Sequence, residues 1–141
     1  MLALILAGGE GSRLRLGEKA LVMVHERPMI AWVLDAFCDA GCEPVVVTSY
    51  KTPFTRNWCR ANGVEYLDTA GTGYVEDLTE AVEMTGVEGP LFTSAADIPC
   101  LTRDVICRIR DAHAESGLPA CSAWVPVSRC EAFGMQPRYR E

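Results

Sequence analysis

The sequence lacks three features that are typical of other protein classes. Its leading apolar run, residues 2–7, stops at two glycines and is too short to cross a bilayer. No C-x-x-C pair occurs among its cysteines, which argues against a zinc ribbon or a thioredoxin-type motif. Positive charge is not in excess, and a net charge of −6 argues against a nucleic-acid surface. These absences predict a soluble, cytoplasmic protein with no membrane span and no nucleic-acid partner.

The composition is that of a globular domain with a sizeable core. Of the 141 residues, 49% are hydrophobic and 23% are charged, and the charges are interspersed rather than clustered. Seven cysteines are an odd number, and we interpret them as small apolar residues kept reduced in a cytoplasm. No internal repeat or linker interrupts the chain. A single domain over residues 1–141 is therefore expected.

Strand-like and helix-like segments alternate along the chain. Short apolar runs predict strands at 2–7, 44–48, 64–67 and 90–94, and a weaker signal predicts a fifth strand at 119–127. Apolar periodicity and end signals predict helices after Pro28 up to Gly41, at 54–62, at about 74–85, and from Thr102 to about Ala114. A short extended piece is expected at 20–24, and the tail 128–141 shows no clear period. Such alternation predicts a three-layer α/β/α fold with a mostly parallel sheet.

Residues suited to binding follow each predicted strand. Gly8-Gly9 follow the first strand, Thr48-Ser49 the second, residues 68–73 the third, and Asp97 the fourth. Ligands of open α/β sheets bind at the carboxyl ends of the strands. The sequence therefore predicts a single site at that edge of the sheet.

The glycine-rich segment that starts at Gly8 is the most specific of these elements. Gly8, Gly9 and Gly11 lack a Cβ, so their backbone N–H groups can closely approach phosphate oxygens. Arg13 and Lys19 add the cations that a triphosphate requires. The segment therefore predicts a triphosphate-binding loop.

Two better-known glycine motifs do not match this segment. A dinucleotide-binding G-x-G-x-x-G motif would need glycine where Leu14 stands. A Walker A motif would need Gly17 directly before Lys19, but Glu18 intervenes. What remains is L-A-G-G-x-G-x-R with a lysine six residues after the arginine, which resembles the signature of GT-A-like nucleotidyltransferases. That resemblance implies a Rossmann-like fold and transfer of a nucleotide.

Asp97 lies in the segment Ala96-Asp97-Ile98-Pro99, directly after a predicted buried strand. A carboxylate in this position suits an octahedral Mg²⁺ that also holds substrate phosphates. The alternative, a cap for the next helix, is less favoured because Thr102 suits that role. In the family that the sequence resembles, this D-x-P aspartate is a metal ligand, which implies a Mg²⁺ site at Asp97.

The string Gly71-Thr-Gly73-Tyr-Val-Glu76-Asp77-Leu opens the third predicted helix. Glu76 and Asp77 suit the positive end of the helix dipole, which explains them without any ligand. The string nevertheless closely resembles a motif of archaeal adenosylcobinamide-phosphate guanylyltransferases, enzymes that use GTP in cobalamin biosynthesis. The segment Thr48–Pro53 is similar to a second motif of that family.

This resemblance, which runs from Leu2 to about Leu101, implies a set of functional residues. Arg13, Lys19 and Asp97 would be catalytic, and the base and ribose would lie against residues of the second and third loops. The implied nucleotide-binding residues are Leu6, Ala7, Gly8, Gly9, Gly11, Ser12, Arg13, Lys19, Thr48, Ser49, Thr69, Gly71 and Gly73.

The implied reaction transfers GMP from GTP to adenosylcobinamide phosphate and releases pyrophosphate. Two alternatives stay open: a molybdenum-cofactor guanylyl- or cytidylyltransferase, and a GTP-binding module without catalysis. Family members have a further C-terminal segment, so this chain is either a shortened relative or truncated. An open sheet edge or the tail offers a surface for a homodimer.

Overall fold

A computed structural model of the chain describes residues 1–9 and 17–136. The chain divides into two units, Met1–Ile106 and Cys107–Glu141. In the described part, none of the helices is both long and apolar enough to cross a bilayer.

The elements of the first unit alternate between strand and helix in the order that the sequence predicts. Its strands are β1 (Leu2–Leu6), β2 (Met23–Val24), β3 (Arg27–Pro28), β4 (Glu43–Ser49), β5 (Tyr66–Thr69) and β6 (Phe92–Ala95). Its helices are α1 (Met29–Asp39), α2 (Pro53–Ala61), α3 (Tyr74–Thr85) and the first turn of α4 (Arg103–Ser116). A 3₁₀ turn at Lys19–Leu21 occupies part of the predicted extended piece.

The four longer strands form one parallel sheet in the order β5-β4-β1-β6. Leu4 of β1 lies beside Val45 of β4 and Thr93 of β6, and Val47 of β4 lies beside Leu67 of β5. β2 and β3 form a separate antiparallel pair. The predicted α/β fold with a mostly parallel sheet is confirmed.

Helices cover both faces of this sheet, which is why β1 is apolar throughout. Leu4, Val45 and Val47 face α3, where Ala81 is fully buried against them. The alternate strand residues face α1, and the ring of Phe37 meets that of Phe92 edge-on at 5.6 Å between centroids. Two buried faces account for the uninterrupted apolar run in the sequence.

The strand order places a topological switch between β1 and β6. From β1 the chain moves to β4 and then to β5, and from β5 it returns across the sheet to β6. The crevice at the carboxyl ends of two such strands is where α/β sheets bind ligands. Gly8-Gly9 and Asp97 flank this crevice.

Two cysteines contribute to the core. Cys42 and Cys59 are both buried. Burial raises the pKa of the Cys59 thiol to about 11, so this side chain is neutral at physiological pH.

In the second unit, the predicted strand at 119–127 is wrong. Residues 119–126 form no strand, and a helix, α5, begins at Val127 and ends at Ala132. Pro119 and Pro126 lack backbone N–H groups and therefore cannot complete a ladder of hydrogen bonds. Pro126 instead precedes the first turn of α5, a position that tolerates proline. The side chains of Leu118, Trp124 and Phe133 are exposed in this unit.

Candidate active site

A cavity of about 510 Å³ lies in the first unit at the carboxyl ends of its strands. Two glycine segments form much of its wall: Gly8-Gly9 after β1, and Gly71 to Gly73 before α3. Asp97, which follows β6, also lines the cavity. The structure thus brings together the residues predicted after the first, third and fourth strands. The predicted site residues that line the cavity are Leu6, Ala7, Gly8, Gly9, Lys19, Gly71, Gly73 and Asp97.

Lys19 and Asp97 form an ion pair in the wall of this cavity. The Nζ atom of Lys19 donates to Oδ2 of Asp97 at 3.1 Å, and both side chains are about one-third exposed, at 39% and 33%. An ion pair this exposed adds little to the free energy of unfolding. The pair lies beside the crevice between β1 and β6, so a ligand in the cavity would contact both the ammonium group and the carboxylate.

The described residues that line the cavity include two lysines and two aspartates, Asp77 and Asp97, so their formal charges cancel. The net charge is −6, and the sequence contains two lysines, Lys19 and Lys51, both of which line the cavity. Lys51 was not predicted as a site residue. Its Nζ also lies 5.6 Å from the centre of the Tyr50 ring, which keeps the side chain beside the cavity.

Three predicted residues of the glycine loop, Gly11, Ser12 and Arg13, lie outside the described residues. The start of the loop is described, and it is held in place by β4. The hydroxyl of Ser49 donates to the carbonyl oxygen of Gly8 at 3.0 Å. A Cβ at Gly8 would lie 3.5 Å from Ser49, so the backbone passes directly over this serine.

Thr48, Ser49 and Thr69 do not line the cavity, although they were predicted to surround the base and ribose. All three side chains are buried and bonded within the protein. Thr48 Oγ1 donates to the carbonyl of Leu67, and Thr69 Oγ1 donates to the carbonyl of Thr48. These side chains tie β4 to β5 and support the cavity wall from behind.

Glu18 connects the end of the glycine loop to α2. Its carboxylate oxygens accept the backbone N–H groups of Phe54 at 2.9 Å and Thr55 at 2.6 Å. Thr52 precedes the helix but makes no capping bond, because its hydroxyl accepts the N–H of Ser49 instead. Glu18 therefore caps the helix from a distance, and this capping fixes the backbone from which Lys19 projects.

We expect Glu18→Ala to lower the free energy of unfolding by about 2 kcal/mol, because it removes two charge-assisted bonds and an N-terminal carboxylate. Denaturant unfolding measures this change. The matched control is Glu88→Ala, an exposed loop glutamate, which should shift stability by less than about 0.5 kcal/mol. Equal effects of the two substitutions would contradict the capping role.

Gly71 is confined by Ser49, the last residue of β4, and by Tyr50, which follows it. Its φ is +67°, and a Cβ there would lie 3.0 Å from Cβ of Ser49 and 3.2 Å from the ring of Tyr50. Both the positive φ and the tight space disfavour a side chain at this position.

We expect Gly71→Ala to destabilise the fold by about 2–4 kcal/mol, since it adds a steric clash to the cost of a positive φ. Gly63→Ala is the control, because Gly63 has the same φ of +67° with nothing within 4 Å of a built Cβ. That variant should lose only about 1 kcal/mol. Thermal or denaturant unfolding of both variants separates the clash from the backbone strain, and identical losses would show that the contact with Ser49 is unimportant.

The sequence matches a family model over almost its full length. The model describes a MobA-like NTP transferase domain and matches residues 3–141. The chain belongs to the MobA-like NTP transferase family. This confirms the resemblance to GT-A-like nucleotidyltransferases that the glycine loop indicates.

Two curated relatives and one solved structure illustrate the range of this family. An adenosylcobinamide-phosphate guanylyltransferase of Methanocaldococcus jannaschii is 31% identical over 77% of this chain and 58% of its own length. A molybdenum cofactor guanylyltransferase of Rhodopseudomonas palustris is 30% identical over 79% of this chain and 53% of its own length. A hypothetical transferase from Thermus thermophilus superposes with a TM-score of 0.63 at 34% identity, over 79% of this chain and 46% of that one. The chain thus spans little more than half of the curated relatives that it matches here.

The donor groups of this NTP transferase domain suit a metal that arrives with a nucleotide. Within residues 1–9 and 17–136, no three His, Cys, Asp or Glu side chains converge on a point that could hold a metal. Asp97 offers carboxylate oxygens beside Lys19 in the wall of the cavity. Mg²⁺ is commonly bound by one or two carboxylates together with substrate phosphates and water, so a single aspartate fits that ion.

Asp77 is the most informative residue that sequence reasoning missed. It was explained by the helix dipole alone, yet it is 8% exposed and lines the cavity of this NTP transferase domain. One signal was available. Asp77 precedes the core residue Ala81 by four positions, and residues so spaced share a helix face.

Proposed function

We propose that this domain transfers GMP from GTP to a phosphorylated acceptor, adenosylcobinamide phosphate, with release of pyrophosphate. Membership of the NTP transferase family supports the reaction type. The 31% identity to the guanylyltransferase of M. jannaschii supports GTP as donor and the cobinamide acceptor.

One observation carries the proposal. The residues Gly71 to Tyr74, part of the string that resembles the cobinamide enzymes, line the same cavity as Gly8, Gly9, Lys19 and Asp97. The segment that favours the acceptor family and the segments suited to phosphate therefore belong to one site. A cavity of about 510 Å³ is also in the usual size range for a small-molecule site.

In this reaction an oxygen of the acceptor phosphate attacks the α-phosphorus of GTP. The bond from that phosphorus to its bridging oxygen breaks, and pyrophosphate leaves with the electron pair. The acceptor phosphate is ionised at neutral pH, so no general base is needed. The described lining residues include no histidine or cysteine, which agrees with this requirement.

Catalysis then consists of positioning and charge neutralisation, as in phosphoryl transfer generally. Lys19 would stabilise the charge that develops on pyrophosphate, and the backbone of Gly8 and Gly9 would hold the phosphates. We assign Arg13 the same task on sequence grounds. Asp97 would hold Mg²⁺, which would neutralise phosphate charge when bound.

A pyrophosphate-release assay with a panel of acceptors tests this function. We expect release with GTP and adenosylcobinamide phosphate together, and none when either is omitted. Release with a molybdenum-cofactor acceptor alone would replace the proposed acceptor. This second candidate is favoured by the relative of R. palustris at 30% identity.

A third outcome would indicate a protein of a different class. Calorimetry that shows tight GTP binding, with no pyrophosphate from any acceptor, would identify a GTP-binding module without catalysis. The release assay and calorimetry together therefore separate both alternatives from the proposed enzyme.

A further inference from the structure

Asp77 places a buried carboxylate in the wall of the cavity, and the proposed mechanism does not use it. Its Oδ1 accepts the backbone N–H of Thr72 at 3.2 Å. Its Oδ2 points toward Gly8, where a Cβ would lie 3.7 Å away. Among the described residues Oδ2 has no hydrogen-bond partner and Asp77 has no ion pair. A carboxylate oxygen is thus left to accept a hydrogen bond from a ligand.

The two carboxylates of the cavity lie on opposite sides of β1. Asp97 follows β6, on one side of β1 in the sheet order. Asp77 contacts Thr72, which follows β5 on the far side of β4. Lys19 bonds to Asp97 and not to Asp77. With no cation bonded to it among the described residues, the carboxylate of Asp77 favours a ligand group that donates hydrogen bonds.

Among nucleobases, guanine best matches a single carboxylate. Its N1–H and its N2 amino group lie side by side, so the carboxylate can accept two hydrogen bonds at once. Adenine and cytosine place a ring-nitrogen lone pair beside their amino group, and uracil places carbonyl oxygens on both sides of its N–H. Each of these would set an acceptor against the carboxylate, and a mispaired buried polar group is strongly rejected.

The geometry points to Asp77 as the residue that selects guanine, by accepting hydrogen bonds from N1–H and the N2 amino group of the GTP base. This inference rests on the proposed use of GTP and adds the determinant of base choice. Thr72 contributes to this selection, because its backbone N–H donates to Oδ1 of Asp77 and restrains rotation of the carboxylate.

The Asp77→Asn variant tests the inference through a change of base preference. An amide N–H in place of a carboxylate oxygen opposes the N2 amino group of guanine but pairs with the C2 carbonyl oxygen of xanthine. We expect kcat/KM for GTP to fall ~10- to 100-fold and kcat/KM for XTP to rise by a similar factor. Glu76→Gln is the matched control, because Glu76 is an exposed carboxylate in the same helical turn and should leave the preference unchanged.

A second measurement compares the binding of ITP and GTP to the wild-type protein, so it does not depend on whether a variant folds. ITP lacks the N2 amino group, so we expect it to bind about tenfold more weakly than GTP. Equal affinity of the wild type for GTP and ITP would overturn the inference, as would an Asp77→Asn variant whose ratio of kcat/KM for GTP to kcat/KM for XTP equals that of the wild type. If the inference about Asp77 fails but the wild type still uses GTP, the proposed function is retained. If the wild type neither binds nor uses GTP, both the proposed function and the inference are overturned.

Discussion

Lys19→Ala should lower kcat/KM for nucleotidyl transfer at least ~100-fold, because it removes a cation that stabilises the charge developing on pyrophosphate. Lys19 is one of two lysines in an acidic chain, and both line the cavity. Its ion pair with Asp97 is too exposed to contribute much to stability. The variant should therefore unfold at nearly the same temperature as the wild type. Steady-state kinetics together with thermal unfolding measure the two effects.

Arg27→Ala is the matched control for this substitution. Arg27 is also a partly exposed cation in an ion pair, with Asp35 at 2.8 Å, but it lies on β3 and does not line the cavity. Turnover should stay close to that of the wild type. Near-normal turnover in Lys19→Ala would remove Lys19 from the proposed machinery, and a large loss in Arg27→Ala would show that any surface cation matters.

Asp97→Asn should lower turnover by about 100-fold at ordinary Mg²⁺ concentrations, because an amide is a far weaker ligand for a hard cation than a carboxylate. The amide oxygen still accepts a hydrogen bond from Lys19, so the local fold should be preserved. Excess Mg²⁺ should restore part of the activity. A titration of turnover against Mg²⁺ concentration for both proteins measures this shift.

Asp35→Asn provides the control, since it neutralises the α1 aspartate that pairs with Arg27, outside the cavity. Its Mg²⁺ dependence should match that of the wild type. If Asp97→Asn lost activity with an unchanged Mg²⁺ dependence, Asp97 would act by orienting Lys19 rather than by holding a metal.

Most of the sheet could be predicted because parallel strands with two covered faces need continuous apolar runs. Leu2–Leu6 is such a run, and the structure buries its centre completely. The predicted strand at 119–127 is wrong because its residues are not covered by neighbouring elements of the sheet. Its apolar side chains, including Trp124, are mostly exposed, so hydropathy alone suggested a strand that two prolines prevent. Hydropathy reports which residues favour burial, but it does not show whether a neighbouring strand is present.

The cavity could be predicted in part because strand ends converge in any parallel sheet. Gly8, Gly71 and Asp97 follow from that rule. Lys19 follows instead from the pattern of the glycine-rich loop, and the structure brings all four together. The rule does not tell whether a side chain at a strand end faces the ligand or the adjacent strand. Thr48 and Thr69 illustrate this, since their hydroxyls bond to backbone carbonyls between β4 and β5.

Long-range contacts explain what the sequence could not show. Glu18 caps a helix that begins 35 residues later, and no local motif signals that pairing. Asp77 stands where a helix dipole explains an acidic residue, so its burial beside Gly8 became visible only in the folded chain. Both residues are charged groups whose environment depends on tertiary packing.

The most direct test of the central claim follows the phosphorus atoms of GTP. The protein is incubated with adenosylcobinamide phosphate and either α-labelled or γ-labelled GTP, and the products are separated. We predict that the α label moves to the acceptor and that the γ label is released as pyrophosphate. Release of the γ label as orthophosphate, with the α label retained in GDP, would contradict nucleotidyl transfer.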